Sequence, residues 1–128
     1  MLDTLIRQLG RELRMEDVIE SPEPGHFSVP FADDIKVDCF QSTHSVLFKG
    51  LIGPSPQENS HLFLSKAMQS NLFGHGTRGA AIGLDNEGKM LTLALELDSD
   101  TNYKEFHERL EDFISILNYW RKEASKQK

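Results

Sequence analysis

At the start of the chain Leu2, Leu5, Ile6, Leu9 and Leu13 recur at helical spacing within a stripe about 100° wide, with Arg7, Gln8, Arg11 and Glu12 elsewhere on the circumference. This pattern predicts a first amphipathic helix. Ser21-Pro22-Glu23-Pro24-Gly25 then breaks any helix, because each proline lacks an N–H and biases the residue before it toward extended backbone. After it the period shortens to two. Phe27, Val29 and Phe31 alternate with small or polar neighbours, Ile35, Val37 and Cys39 alternate with Lys36 and Asp38, and Val46-Leu47-Phe48 follows, so three strands are predicted.

Ser55-Pro56-Gln57-Glu58 supplies a capping serine, a first-turn proline and a glutamate able to complete a capping box, and predicts a middle helix running to about Phe73 and stopping at Gly74. Its apolar residues Leu62, Phe63, Leu64, Ala67, Met68, Leu72 and Phe73 spread around most of the circumference, so it requires burial on two sides. One sheet covers one side only. A second copy of the chain packing on the face with Leu64 and Met68 accounts for the other, which predicts a homodimer; coverage by the first or last helix of the same chain is the alternative. Ala80 to Leu84, the polar turn Asp85-Asn86-Glu87-Gly88 and Lys89 to Leu97 predict a hairpin with Leu91, Leu93, Leu95 and Leu97 on one face. A last helix starts near Asp100 to Asn102 and carries Tyr103, Phe106, Leu110, Phe113, Ile114, Leu117 and Trp120 on one stripe; from Arg121 to Lys128 the pattern is lost and a frayed tail is expected. The order α-β-β-β-α-β-β-α with short polar connections predicts an α+β fold, an antiparallel sheet packed with helices, in a single domain over residues 1–128.

Charge narrows the choice of partner. With 14 Lys and Arg against 20 Asp and Glu the net charge is -6, and the basic residues cluster only in the tail from Arg121, so neither nucleic acid nor a membrane surface is an expected partner. No apolar run approaches the roughly 20 residues of a membrane-spanning helix, the opening segment lacks a signal-peptide core, and the single cysteine, Cys39, forms no intrachain disulfide; a cytoplasmic location is expected.

Candidate chemistry is sparse. Gly74-His75-Gly76-Thr77-Arg78-Gly79 matches G-x-G-x-x-G, but a dinucleotide site needs a strand before the glycines and a helix after them, and here that order is reversed. The glycines meet a helix C-terminus, whose partial negative charge repels phosphate. None of the five histidines, at positions 26, 44, 61, 75 and 107, has a second histidine at i+4 or a cysteine pair beside it. Cys39 falls on the face of Ile35 and Val37 and reads as core. Glu96, Asp98 and Asp100 lie where a strand gives way to a helix and suit capping, while Glu105, Glu108, Glu111 and Asp112 line a solvated helix face. No nucleophile, base and orienting group come together along the sequence, so an enzyme reading has to rest on side chains brought together from distant positions; a small enzymatic or ligand-binding α+β domain using the glycine-rich loop around His75 is the alternative function.

The run from Asn71 through Leu72, Phe73, Gly74-His75-Gly76-Thr77-Arg78-Gly79 and Ala80-Ala81-Ile82-Gly83-Leu84 to Asp85, followed by Leu91-Thr92-Leu93 and later by Tyr103, Phe106, Leu110, Phe113 and Trp120, resembles the Tir-chaperone (CesT) family, the class I chaperones of bacterial type III secretion. The resemblance covers the whole element order and is most specific from Leu64 to Trp120. It implies a cytoplasmic homodimer that binds the N-terminal segment of a secreted effector and keeps it extended and export-competent, with no nucleotide hydrolysis, cofactor or metal. Two copies are then expected to meet through Leu64, Met68, Leu72, Ile82 and Leu84. Effector contacts are expected on Leu2, Leu5, Ile6 and Leu9 of the first helix and on Phe27, Val29, Val46 and Phe48 of the sheet, with the export ATPase as a further candidate partner.

Overall fold

The computed structural model describes residues 2–32, 35–54, 80–84, 89–98 and 100–125. Helix α1 (Leu2–Leu13) leads into strands β1 (Glu20–Glu23), β2 (His26–Ala32), β3 (Ile35–Gln41) and β4 (Ser45–Pro54); β5 (Ala81–Leu84) and β6 (Met90–Asp98) precede helix α2 (Tyr103–Ser125). The strands form one sheet in the order β1-β2-β3-β4-β6-β5, antiparallel at every junction. The predicted middle helix from Ser55 to Phe73, with Leu64, Met68 and Leu72, lies outside the described residues. So do the loop Gly74 to Gly79 and the turn Asp85 to Gly88.

The period-two pattern maps onto one helix-bearing face of this sheet. Val29, Val37, Cys39, Val46, Phe48, Leu91, Leu93, Leu95 and Leu97 are buried there beneath Leu2, Leu5, Ile6 and Leu9 of α1 and Phe106, Leu110, Phe113, Leu117 and Trp120 of α2. The Phe48 ring sits edge-on to Phe106 at 5.5 Å and tilted to Phe113 at 5.7 Å. Each such aromatic or leucine side chain removed from water contributes roughly 1.5–3 kcal/mol. Close approach of α2 depends on Gly50, where a Cβ would stand 2.7 Å from Leu117 Cδ2 and 3.3 Å from Phe113 Cε1.

Local signals set the helix ends. Asn102 caps α2: its Oδ1 accepts from the Glu105 N–H at 2.9 Å and its carbonyl from the Phe106 N–H at 2.9 Å. At the end of α1, Arg14 adopts φ +56°, with Met15 N–H donating to Gly10 O at 2.8 Å and Arg14 N–H to Arg11 O at 3.4 Å. This is a Schellman stop with arginine where glycine is usual. Gln41 Oε1 accepts from the Leu2 N–H at 2.9 Å, and the Tyr103 hydroxyl donates to Glu12 Oε2 at 2.6 Å, tying α1 to both β3 and α2.

Two boundaries differ from expectation. The segment containing Pro22 is not only a breaker, because Glu20–Glu23 forms the edge strand β1, paired with β2 through Glu20↔Ser28 and Glu23↔His26 with a register shift between them. All four of its residues are exposed, so no alternation announces it, and a proline is tolerated where a strand lies on an edge or at an irregularity. The tail expected to fray from Arg121 continues α2 to Ser125: Ala124 is buried, and Arg121 Nη1 donates to Leu51 O at 3.0 Å.

Candidate functional site

Helix α1 lies on the sheet between α2 and the β1 edge. Tyr103 of α2 meets it through Glu12, on the side away from β1. Between α1 and β1 the surface sinks into two concavities of about 490 Å³ and about 370 Å³ that share Ser21 and Phe27 as walls. Together they form one groove along the helix. Ile6 and Phe27 line its floor, with Gly10 beside them. The following turn packs closely on Gly10, where a Cβ would stand 3.4 Å from both Glu16 Cγ and Ile19 Cδ1. Leu2 and Gln41 border the other end, beside the turn Pro24-Gly25, where Gly25 holds φ +79°.

The groove lining carries both signs, Arg7, Arg11 and Glu16 in the larger concavity and Asp3 in the smaller, while the acidic residues of β1 lie on the other face of the sheet. Arg7 and Arg11, one helical turn apart, line the groove on the α1 side, and Arg7 Nη2 stands 3.8 Å from Asp3 Oδ2 on the exposed helix surface. In β1 the register places Glu20 and Glu23 with Ser28 and His26 on the sheet face away from the helices, because Phe27 and Val29 point toward the core. His26 stacks on Phe40 with centroids 4.3 Å apart, approaches Glu23 Oε1 at 4.0 Å through Nδ1 and meets Asp38 Oδ1 at 3.0 Å through Nε2. The neighbouring Ser28 hydroxyl is buried without a hydrogen bond, so His26 does not address it as a base would address a nucleophile.

The opposite edge of the sheet has another character. In β5, Ala81, Gly83 and Leu84 are exposed and Ile82 is half-buried against the core, with no charged residue and no proline along the strand. Leu84 retains 49% of its accessible surface, and Leu51 on β4 retains 47%.

The residues proposed from the sequence divide accordingly. Leu2, Leu5, Ile6, Leu9, Val29, Val46 and Phe48 are buried in the core, Leu2 and Ile6 also meeting the groove, and Phe27 is partly open to it. Ile82 and Leu84 stand together on the β5 edge. Sequence reasoning missed Ile19, Arg7, Arg11 and the β1 edge as parts of the groove; the missed strand is the reason, since without it nothing faces the polar side of α1.

The other candidates are accounted for locally. Burial pushes the Cys39 thiol up, with the Asp38 charge adding to it, so it is held as the thiol. At the entry to α2 the backbone carbonyl of Asp98 accepts from Thr101 Oγ1 at 2.7 Å, and the capping side chain is that of Asn102 and not one of the acidic residues expected there. His107 Nε2 lies 3.3 Å from Glu111 Oε1 and its ring stacks on Tyr103 at 5.9 Å. His75 and His61 lie outside the described residues. Among the described residues no three His, Cys, Asp or Glu side chains converge to hold a metal ion, and no helix is long and apolar enough to cross a membrane.

The site therefore comprises a six-stranded antiparallel sheet carrying an N-terminal and a C-terminal helix, an open groove beside one edge strand and a second edge of different composition. Residues 4–121 match the model of the Tir chaperone protein (CesT) family, and the chain belongs to that family. It is 28% identical over 123 residues to the Chlamydia pneumoniae protein CPj0713/CpB0740, covering 94% of this chain and 93% of that one. The fold is similar to a chain of the HopA1–SchA chaperone–effector complex (TM-score 0.73, 15% identity, 94% and 93% of the two chains). It is also similar to a chain of the Yersinia pestis type III secretion chaperone SycH in complex with a stable fragment of YscM2 (TM-score 0.65, 20% identity, 98% of both chains).

Proposed function

We propose that this chain is a non-catalytic cytoplasmic chaperone of type III secretion that, as a homodimer, binds the N-terminal segment of a secreted effector and keeps it extended and export-competent. The observation that carries this reading is the groove between α1 and β1, apolar on its floor at Ile6 and Phe27 and bounded by an edge strand with all four residues exposed. An extended segment adding to β1 gains backbone hydrogen bonds while alternate side chains enter the groove. Family membership, and the similar fold of chains in complexes described as chaperone with effector or with a partner fragment, support the same reading.

The homodimer rests on the opposite edge. An apolar strand with Leu84 half exposed is a liability for a lone chain, and a second copy laid against β5 removes it. The groove at β1 then faces outward on each copy, and two grooves on one particle raise the effective concentration of the second contact once the first has formed. Contact with the export ATPase is the further candidate interaction.

The test is to recover the tagged chain from its native cytoplasm under secretion-inducing conditions and to digest the bound material briefly. A protected N-terminal segment of a larger secreted protein, held by two copies of this chain, is expected. A dimer recovered with no protein partner, or a partner held only through a folded domain, contradicts the proposal.

A further inference from the structure

Accepting the groove as the seat of an extended segment, we propose that it selects that segment by charge pattern as well as by apolar fit. The groove takes a strand whose inward side chains are apolar with an acidic residue among them and whose outward side chains are basic. The inward half of the pattern comes from α1. Arg7 and Arg11 line the groove beside the apolar floor, with Glu16 at the turn that closes it; Arg7 has Asp3 within its own helix at 3.8 Å, whereas no carboxylate among the described residues, Glu16 included, pairs with Arg11. An acidic side chain directed inward from an added strand meets that guanidinium.

The outward half comes from β1. Side chains alternate between the two faces of a strand, so the residues of an added strand that do not enter the groove lie on the face of Glu20 and Glu23. Cross-strand neighbours stand about 4.5–5.5 Å apart, where opposite charges attract and like charges repel. Asp38 stands two strands further in on the same face, opposite Lys49 of β4, with His26 between it and Glu23; at the edge itself the only charged side chains of β1 are Glu20 and Glu23, so basic side chains fit this side and acidic ones do not.

Charge is also what an edge of this kind can read. β1 is short, carries Pro22 with no backbone donor, and has a register shift, so a backbone ladder alone specifies position weakly. Prolines and charges on an edge strand ordinarily deter indiscriminate pairing. A strand of complementary charge is spared that deterrent, and its charges fix the register that the short ladder does not.

The probe is a pair of dye-labelled peptides of about eight residues, enough to run past α1 at roughly 3.3 Å per residue. Both carry the same leucines at inward positions. One has Asp at the remaining inward position and Lys outward, and the other has these two exchanged. Exposed ion pairs contribute little singly, so the three together are expected to favour the first peptide by about tenfold at low salt. The preference should shrink at about 1 M salt, where the screening length is about 3 Å. It should invert in the variant Arg11→Glu/Glu20→Lys/Glu23→Lys, whose changes are all on exposed side chains. Equal affinities for the two peptides, or a preference that the variant does not invert, overturns the charge pattern and leaves the groove assignment standing. Binding of neither peptide to folded protein removes the groove assignment together with the inference.

Discussion

At one end of the sheet β1 presents Glu20, Ser21, Pro22 and Glu23, all exposed, and at the other β5 presents Ala81, Ile82, Gly83 and Leu84 without a charge or a proline. Both strands are four residues long and each pairs on one side only. They leave the same kind of unpaired backbone, yet their side chains treat it differently. β1 carries the features that keep a strand from pairing at random, and the groove beside it is bounded by charges of both signs. β5 carries none of these features and keeps Leu84 half exposed. A guarded edge suits a contact that forms and dissolves with a chosen partner; an unguarded apolar edge suits a contact kept permanently covered. On the proposed function, one sheet therefore offers two interaction surfaces of opposite character, separated by the shared core.

The comparison breaks most readily at β5. Leu84→Lys places a charge where a second copy is proposed to pack, and an unpaired charge left in such a contact costs about 3–5 kcal/mol. Light scattering is expected to show the mass falling from two chains to one, while circular dichroism remains that of the folded protein, because Leu84 lies outside the buried core. A dimer that survives this change unaltered assigns the interface elsewhere. Gly50→Val acts on the core that both edges share. The added Cβ meets Leu117 Cδ2 at 2.7 Å and forces α2 outward, and overpacking of this kind costs about 1–3 kcal/mol. Denaturant unfolding should show that loss whether or not a partner occupies either edge.

The two edges also differ in how far the sequence foretold them. The alternation of Ala81–Leu84 and the leucines of Met90–Asp98 announced their hairpin, because half-buried strands imprint their period on the apolar residues. A strand exposed along its whole length imprints nothing, and Pro22 and Pro24 argued for a break, so β1 was invisible. The same blind spot hid the groove. The leucine stripe of α1 was correctly legible as an apolar face, but periodicity cannot divide such a face between a core and a partner. Leu5 and Leu9 are 8% and 0% exposed and belong to the core, whereas Arg7 and Arg11, on the polar side, border the groove. The frayed tail failed for a related reason: Ala124 is too small to extend the apolar stripe in sequence, yet it is buried in the structure. Leu64, Met68 and Leu72 remain a proposal for the dimer contact on the strength of their spacing and of the family resemblance.

At the guarded edge, Phe27→Ala sharpens the comparison from the other side. Phe27 packs against the core with part of its ring open to the groove. Its removal should weaken capture of the effector segment about tenfold, equivalent to about 1.4 kcal/mol of binding, with the mass of the dimer unchanged. Titration of a labelled segment against wild type and variant measures this directly. Dissociation of the dimer by Phe27→Ala, or full affinity in spite of it, would merge the two edges into one surface or remove the groove from function.

The smallest expected effect concerns the wall of that groove and is read as a function of pH. The Tyr103 hydroxyl donates to Glu12 Oε2 at 2.6 Å and is half-buried between α1 and α2. Burial, then the hydrogen bond to Glu12 and its negative charge, push the tyrosine pKa up from 10.0 to about 12. Because the folded chain holds this proton more tightly than the unfolded chain does, the contribution is fully present below pH 10 and is lost as the pH rises toward about 12. Thermal unfolding of wild type should therefore lose ground to Tyr103→Phe across that window, and the two should keep a constant separation below it. The contact holds α1 on the side away from β1, so the variant should also loosen the groove wall slightly while leaving β5 untouched. Faster amide exchange in α1 without any change in β5 is the expected signature; parallel changes in both would mean that the edges are coupled through the sheet and are not independent surfaces.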